Sequence, residues 1–388
     1  MSSKTKSIGI LTSGGDCPGL NAAIRGVAKA AMESGIKVIG IQDGFRGLVE
    51  NRTFVLDNRA VSGILTIGGT ILGTARDKPH KMRMGGEKMD MTEVAVANAR
   101  KMNLDCLVCL GGGGTQKNAF HLHKKGGLNV MTLPKTIDND VYNTDITFGF
   151  DTAMTIASDA IDRLHTTATS HHRIIVCEIM GHNAGWLPLG AGIAGGADVI
   201  LIPEIPYDLQ FVANHLIERR HHGKRFSIIA VAEGAKEKKK KDKQEEEKDK
   251  DSDKDKDKDK KKKKKKSETY KQIVNSDGQP VHLVEEPIAS KVARQLQQLT
   301  GIEARVTSLG HVQRGGIPSP SDRLLCTRLG TKAAQLLADG VYNVMVAVKG
   351  TECKPVPLDE VAGKKKLVPS DHPWIEAARL VDSCMGDE

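Results

Sequence analysis

Short runs of continuous apolar residues alternate along the chain with longer segments whose apolar positions recur at helical spacing. The apolar runs predict strands at 8–12, 37–41, 106–110, 129–133, 173–179, 198–202, 226–232 and 304–308. Helical spacing predicts helices at 20–34, 92–102, 116–124, 152–163 and 187–194. Continuous rather than alternating apolar strands are typical of strands covered on both faces. The order strand, helix, strand therefore predicts an α/β fold with mainly parallel sheets and right-handed crossovers.

The pattern divides into two α/β units, the second of which begins near Thr152. The length of 388 residues fits two or three domains at roughly 100–200 residues each. We predict two Rossmann-like three-layer domains with the active site in the cleft between them. The first would comprise residues 1–149 plus about 313–365, and the second residues 150–312.

A highly charged segment, Lys236 to about Lys266, interrupts the second unit and contains only lysine, aspartate, glutamate, glutamine and serine. Such a segment cannot bury apolar area to offset chain entropy, so we predict that it is disordered. Most of the net charge of +9 lies within it, which leaves the rest of the chain close to neutral. This distribution, together with the scattered aromatic residues, argues against nucleic acid as a partner.

The seven cysteines are odd in number and scattered, so they predict no disulfide framework. Cys106 and Cys109 form a CxxC pair, but they lie in a predicted buried strand and no second pair exists to complete a zinc site. The N-terminus lacks the apolar region of a signal peptide, and no apolar stretch approaches the ~18 residues of a membrane span. We therefore expect a cytoplasmic protein that does not bind membranes.

Two glycine-rich loops each follow a predicted strand and precede a predicted helix. They are Ser13-Gly14-Gly15-Asp16-Cys17-Pro18-Gly19 and Gly111-Gly112-Gly113-Gly114-Thr115. Helix N-termini bind phosphate through free N–H groups, and glycine lets the backbone approach the phosphoryl oxygens. Neither loop matches the Walker A motif or the dinucleotide fingerprint, and each taken alone could be a tight turn.

The acidic run Thr136-Ile137-Asp138-Asn139-Asp140 lies just past a predicted strand end, where ligands of open α/β sheets bind. One carboxylate can accept the proton of an attacking hydroxyl while the other serves a metal or orients its neighbour. Asx-turns would explain one aspartate but not the whole run. Downstream, Arg173 and Arg314 supply guanidinium groups suited to phosphate.

Five segments in this order resemble the phosphofructokinase family. They are Leu11 to Asn21, Gly68 to Arg76, Pro134 to Asp140, Met180 to Gly185 and Gly310 to Gly316. The resemblance runs from Ile8 to about Gly340, apart from the charged segment. It implies transfer of the γ-phosphoryl group of ATP to the 1-hydroxyl of fructose 6-phosphate, with Mg²⁺ as cofactor. It also implies a homodimer or homotetramer.

The resemblance assigns the first domain to the phosphoryl donor and the second to the sugar, with Asp138 as the catalytic base beside Asp140. Arg173 would reach the active site of a neighbouring subunit. The implied donor-binding residues are Gly15, Arg76, Asp77, Gly112, Gly113, Gly114 and Thr115. The implied sugar-binding residues are Thr136, Asp138, Arg173, Met180, Gly181, His182, Glu233, Arg305, His311 and Arg314.

Several positions depart from the usual family pattern or favour different donors. Gly113 stands where a metal-associated aspartate is expected, so the implied magnesium position has no side chain, and His182 stands where many members have arginine. Gly114 is similar to the ATP-using type because it leaves room for the α-phosphate, whereas Lys135 is typical of pyrophosphate users. A pyrophosphate-dependent enzyme and a non-catalytic regulatory paralogue therefore remain as alternatives to the ATP-dependent enzyme.

Overall fold

The computed structural model describes residues 4–238 and 286–387. The described strands are β1 (Ser7–Ser13), β2 (Lys37–Ile41), β3 (Thr53–Val55), β4 (Met82–Met84), β5 (Glu87–Met89), β6 (Cys106–Gly111), β7 (Val130–Pro134), β8 (Ile174–Ile179), β9 (Val199–Leu201), β10 (Ser227–Ala232), β11 (Ala304–Ser308), β12 (Val344–Lys349) and β13 (Glu352–Pro357). The described α-helices are α1 (Leu20–Glu33), α2 (Phe45–Glu50), α3 (Thr92–Lys101), α4 (Gly113–Gly126), α5 (Phe150–His171), α6 (Trp186–Ala194), α7 (Leu209–His221), α8 (Ile288–Thr300), α9 (Pro320–Ala338), α10 (Leu358–Val361) and α11 (Pro373–Leu380).

The first sheet has seven strands in the order β13-β12-β7-β6-β1-β2-β3. Five of them, β1, β2, β3, β6 and β7, come from the first half of the chain. The five central strands are parallel, and an antiparallel strand closes each edge. The strands β1 and β6 are completely buried, as expected for strands with helices on both faces. The chain returns to this sheet with β12 and β13 only after it has built the second sheet.

The second sheet has four parallel strands in the order β11-β8-β10-β9. The final segment comes back to it, because the backbone at Cys384 pairs with Val199 in β9. The α/β architecture with mainly parallel sheets confirms the predicted fold class. The predicted disorder of residues 236–266 falls, beyond Lys238, outside the described residues. In the described part of the chain, no helix combines the length and apolarity that a membrane crossing requires.

All eight predicted strands and all five predicted helices are present, but two helix ends differ from the predictions by three residues or more. The helix α4 begins at Gly113, three residues before its predicted start, because glycine side chains give no periodic signal there. The helix α5 continues to His171, well past the predicted end at Arg163, because its last two turns are mainly polar and exposed. The first difference bears on the site, since the second glycine loop is itself the start of a helix.

A buried carboxylate joins the two halves of the fold near the site. Asp322 lies at the start of α9 and is completely buried. It accepts hydrogen bonds from the backbone N–H groups of Gly149 and Thr152, both at 2.9 Å, and from the Thr152 hydroxyl at 2.5 Å. These bonds satisfy free N–H groups in the first turn of α5. They fix the start of the helix that leads from the first sheet into the second.

Candidate active site

A cleft of about 290 Å³ opens at the carboxyl ends of β1, β6 and β7. Open α/β sheets bind their ligands at this edge. The loop after β1, the first turn of α4 and the segment after β7 all contribute to its walls. The predicted site residues that line it are Gly15, Arg76, Gly112, Gly113, Gly114, Thr115, Thr136, Asp138, Asp140 and Arg314.

The first glycine loop is held close to Arg314. The Arg314 Nη1 donates to the carbonyl oxygen of Asp16 at 3.0 Å. A Cβ atom on Gly15 would lie only 2.7 Å from the same nitrogen, so a side chain at this position would push the guanidinium away. The loop is also anchored from outside, because the Thr74 hydroxyl donates to the Gly14 carbonyl oxygen at 2.8 Å. Gly15 is therefore needed for the guanidinium to approach.

The second glycine loop forms the N-terminus of α4. Gly112 is the N-cap in an extended conformation, and the helix begins at Gly113. The first N–H groups of a helix have no intrahelical partner, and they carry the positive end of the helix dipole. The Thr115 hydroxyl donates to the Ser13 carbonyl oxygen at 3.2 Å, which ties this helix start to the first loop. The two loops thus form one surface suited to phosphate.

Asp138 presents a buried carboxylate oxygen to the cleft. Its backbone N–H donates to the Thr136 hydroxyl at 3.0 Å. Its Oδ1 atom is buried and has no hydrogen-bond partner among residues 4–238 and 286–387. Burial, assisted by the charge of Asp140, raises the pKa of Asp138 to about 6. A carboxylate with a raised pKa and a free oxygen is suited to accept a proton.

The buried Nε of Arg314 also lacks a hydrogen-bond partner within the described part of the chain. Buried polar atoms are nearly always paired, so each exception needs an explanation. Here a donor and an acceptor are both unpaired in the same cleft. A ligand with a phosphate group and a hydroxyl group would satisfy both.

Predicted sugar-site residues of the second sheet lie at the carboxyl ends of β8 and β10. The backbone N–H of His182 donates to Glu233 Oε1 at 2.8 Å, and that of Met180 donates to Gln313 Oε1 at 3.3 Å. Gly181 and His182 both have positive φ angles, 152° and 51°, which form a sharp turn there. The negative charge of Glu233 adds to the effects of burial and of Asp140 in raising the pKa of Asp138, but these four predicted residues are not among those that line the cleft.

A family model of phosphofructokinase matches residues 7–337. The chain belongs to the phosphofructokinase family. This finding confirms the family that the five motifs resemble.

Full-length relatives support the same assignment. The chain is 54% identical over 381 residues to the ATP-dependent 6-phosphofructokinase of Propionibacterium freudenreichii, with 98% of this chain and 99% of the relative covered. It is 51% identical over 391 residues to the protein of the same name from Spirochaeta thermophila, with 99% and 98% covered.

Solved structures of phosphofructokinases share the fold. Pichia pastoris phosphofructokinase in the T-state matches with a TM-score of 0.74 and 29% identity over 97% of this chain, which spans 37% of that longer chain. A pyrophosphate-dependent phosphofructokinase from Marinobacter aquaeolei matches with a TM-score of 0.72 and 20% identity, covering 94% and 86% of the two chains. The second likeness shows the fold alone.

Two arginines with implied roles in this phosphofructokinase site lie away from the cleft. Arg173 precedes β8, and its Nε donates to Glu303 Oε2 at 2.6 Å. Arg305 lies on the edge strand β11 and pairs with the other oxygen of Glu303. Both therefore lie near the amino end of the second sheet, opposite the end that carries His182. The structure does not bring them to Asp138 of the same chain.

Two further predicted residues are outside the cleft lining. Asp77 accepts from Arg46 Nη2 at 2.7 Å and from its Nε at 3.0 Å, so its carboxylate is already paired. His311 is exposed in a short 3₁₀ helix, Gly310–Arg314. It lies three residues before Arg314, which places it beside the cleft rather than in its wall.

Four side chains that were not among the predicted site residues also line the cleft, namely Ser13, Lys78, Asn118 and Lys135. Lys135 is buried, and its Nζ donates to the carbonyl oxygen of Gly15. Burial lowers the pKa of Lys135. The feature of the sequence that could have identified Lys135 as a site residue is its position directly before the acidic run Thr136 to Asp140. For Lys78 and Asn118 the sequence carries no comparable motif.

The cleft contains the two carboxylates of Asp138 and Asp140, while Gly113 offers no side chain. In residues 4–238 and 286–387, no group of three or more histidine, cysteine or acidic residues is arranged to hold a metal. Mg²⁺ commonly binds through one or two carboxylates together with substrate phosphates and water. The Asp140 carboxylate and the neighbouring phosphate-binding surface fit that mode of binding.

Proposed function

We propose that this protein is a 6-phosphofructokinase that transfers the γ-phosphoryl group of ATP to the 1-hydroxyl of fructose 6-phosphate. The products are ADP and fructose 1,6-bisphosphate. The observation that carries the proposal is the pair of unpaired buried atoms in one cleft, Asp138 Oδ1 and Arg314 Nε. The first can accept the proton of the sugar hydroxyl, and the second can donate to a phosphate oxygen.

Asp138 acts as the general base. As its carboxylate takes the proton, the sugar oxygen forms a bond to the γ-phosphorus and the bond from that phosphorus to the β–γ bridging oxygen breaks. Its pKa of about 6 leaves Asp138 ionised at neutral pH, yet close enough to neutrality to hold a proton in the transition state. Asp140 maintains this pKa through its negative charge.

ATP is the donor that the cleft and the relatives together support. A Cβ atom on Gly114 would meet nothing within 4 Å, so the start of α4 leaves room for an α-phosphate. Lys135, the residue typical of pyrophosphate users, already donates to the Gly15 carbonyl oxygen. The two full-length relatives described above carry the name ATP-dependent 6-phosphofructokinase.

Asp140 would hold Mg²⁺ together with the donor phosphates, which leaves Asp138 Oδ1 free to accept the sugar proton. The ion would neutralise charge on the phosphoryl oxygens during transfer. The N–H groups at the start of α4 and the glycine loop around Gly15 would hold the remaining phosphate oxygens. Arg76, exposed at the rim of the cleft, would add positive charge there.

The sugar phosphate would be held by residues of two subunits. Met180, Gly181, His182 and Glu233, which follow β8 and β10, would contact the sugar together with His311 and the cleft residue Arg314. The paired Arg173 and Arg305, both engaged by Glu303, would exchange that carboxylate for the sugar phosphate of a neighbouring subunit. A cytoplasmic homodimer or homotetramer would have this arrangement.

We further propose that the donor domain comprises residues 1–149 and about 313–365, and the sugar domain residues 150–312. The return of β12 and β13 to the first sheet supports this division.

An assay of the purified protein with fructose 6-phosphate, Mg²⁺ and either ATP or pyrophosphate tests the proposal. We expect turnover with ATP. Turnover with pyrophosphate alone would replace the proposed donor. Absence of turnover with both would favour the non-catalytic paralogue.

A further inference from the structure

The last part of the chain, beyond the residues matched by the family model, crosses behind the acidic run. Lys366 is the centre of this contact. Its Nζ donates to Asn139 Oδ1 at 2.9 Å, to the Thr144 carbonyl oxygen at 3.0 Å and to the Asp145 carbonyl oxygen at 2.8 Å. All three donor positions of the ammonium group are therefore occupied by one short stretch of chain.

The backbone joins the same contact. The N–H of Lys366 donates to the Asp140 carbonyl oxygen at 3.0 Å, and Lys365 forms an antiparallel bridge with Val141. The backbone of Lys366 thus holds the main chain of Asp140, while the Asp140 side chain lines the cleft.

Asn139 is the residue through which Lys366 reaches the base. It stands between the two carboxylates with φ at 51°, in the left-handed region that asparagine tolerates better than most side chains. Its buried Oδ1 accepts from the Thr147 backbone N–H at 3.1 Å as well as from Lys366. These bonds hold the turn, and the turn directs Asp138 and Asp140 into the same cleft.

We propose that Lys366 is a positioning residue for the catalytic base, holding the turn at Asn139 from the side opposite the substrate. This inference rests on the proposed function. Lys366 does not line the substrate cleft; it lines a separate cavity of about 560 Å³ that Asn139 and Trp186 share. It therefore acts on the reaction through the turn and not through contact with substrate.

The surroundings of Lys366 favour a specific contact over simple packing. A half-buried ammonium is costly to desolvate unless its donors are satisfied, and here three acceptors satisfy it. Burial lowers the pKa of Lys366 to about 8, with opposing effects from Asp145 and Asp140 and a smaller lowering from Lys349. His372 also faces this region, and burial lowers its pKa from 6.5.

Steady-state kinetics of Lys366→Met test the proposal, with Lys365→Met as the matched control. Lys365 is the adjacent lysine, its side chain is exposed, and its bridge to Val141 uses only the backbone. A small displacement of a catalytic group can lower the rate on the order of 10²-fold, and we expect a loss of that size in kcat for Lys366→Met. KM for fructose 6-phosphate should change little, and Lys365→Met should behave as wild type.

Two further variants separate positioning from general stability. Lys366→Arg keeps a charged donor and should retain more of kcat than Lys366→Met. Asn139→Ala removes the acceptor while leaving Lys366 its two carbonyl partners. If Lys366 acts through Asn139, the double variant should lose much less than the product of the two single losses. Multiplicative losses, or a wild-type kcat in either single variant, would overturn the inference.

Tryptophan fluorescence gives a readout that does not depend on activity. The chain has two tryptophans, and both lie here: the ring centroids of Trp186 and Trp374 are 6.1 Å apart. Lys366 Nζ lies 5.3 Å from the centre of the Trp186 ring, and the Trp186 Nε1 donates to the Lys366 carbonyl oxygen at 3.0 Å.

The emission maximum or intensity at a fixed pH of about 7 should therefore differ between wild type and Lys366→Met, while Lys365→Met should match wild type. If wild type turns over neither donor, the proposed function fails, while this comparison still tests the lysine contact. Identical spectra for all three proteins would then overturn the inference.

Discussion

Replacement of Asp138 by asparagine should inactivate the enzyme and at the same time stabilise the fold at neutral pH. The carboxylate Oδ1 is buried without a partner in the described part of the chain, so ionised Asp138 is held in an environment that disfavours its charge. Asparagine has nearly the same shape and carries no charge. Loss of a general base typically lowers kcat by ~10²–10⁴.

The size of the stabilisation follows from the pKa. Folding raises the pKa of Asp138 from 3.8 to about 6, and each unit corresponds to about 1.4 kcal/mol. At neutral pH the ionised group therefore costs the fold about 3 kcal/mol. An increase of a few degrees in Tm is the expected consequence.

The pH dependence has a definite sign. Between pH 3.8 and about pH 6 the folded protein keeps the proton that the unfolded chain has released. The wild-type contribution to stability from this group therefore falls as pH rises through that window. The difference in Tm between Asp138→Asn and wild type should be present at pH 7 and above and should shrink as pH is lowered toward 4.

Asp322→Asn is the matched control. Asp322 is also a buried carboxylate whose pKa is raised by burial, but its two oxygens accept three hydrogen bonds. An asparagine amide group cannot accept at both positions, so this variant should have a lower Tm than wild type. Calorimetric scans of the three proteins across the pH range make the comparison. A lower Tm for Asp138→Asn at pH 7, or a gain that persists at pH 4, would refute the reasoning.

Three further predictions concern the donor loops and the base. Gly113→Asp should fold normally and reach half-maximal activity at lower Mg²⁺ concentration, because a Cβ there meets nothing within 4 Å. A Cβ atom at Gly114 is equally unobstructed, but Gly114→Asp should instead raise KM for ATP because it would fill the room left for the α-phosphate. Equal effects of the two variants in Mg²⁺ and ATP titrations would contradict this difference. Gly15→Ala should weaken fructose 6-phosphate binding by displacing Arg314, and a wild-type KM would exclude that role. Asp140→Asn should move the acid limb of the kcat/KM profile below pH 6, because Asp140 raises the pKa of the base; an unmoved limb would argue against that coupling.

The sequence predicts the frame of this molecule well because its central strands are buried on both faces. The strand Cys106–Gly111 is completely buried, so its continuous apolar run has one interpretation. The position of the acidic run Thr136 to Asp140 could also be predicted from the sequence, because the carboxyl ends of strands in a parallel sheet form the ligand-binding edge. Local pattern and tertiary environment agree at these positions.

Other features depend on contacts between distant parts of the chain. Lys366 meets Asn139 across more than 200 positions, and nothing in its own neighbourhood, Lys364-Lys365-Lys366, distinguishes it from a solvated charge run. Arg173 likewise meets Glu303 across 130 positions. Single-sequence patterns report local periodicity, so side chains that act through such long-range contacts are missed.

The absence of a carboxylate at Gly113 has a different meaning once α4 is seen to start there. If Gly113 is regarded as a loop residue, the missing carboxylate is a missing magnesium ligand. As the first residue of a 14-residue helix, Gly113 presents a backbone N–H at the positive end of the helix dipole. A carboxylate at that point would bring the metal closer but would also neutralise part of the dipole that the phosphates meet. On the proposed function, the start of α4 would exchange a metal ligand for direct backbone binding of the donor, which would leave Asp138 and Asp140 as the acidic groups of the cleft.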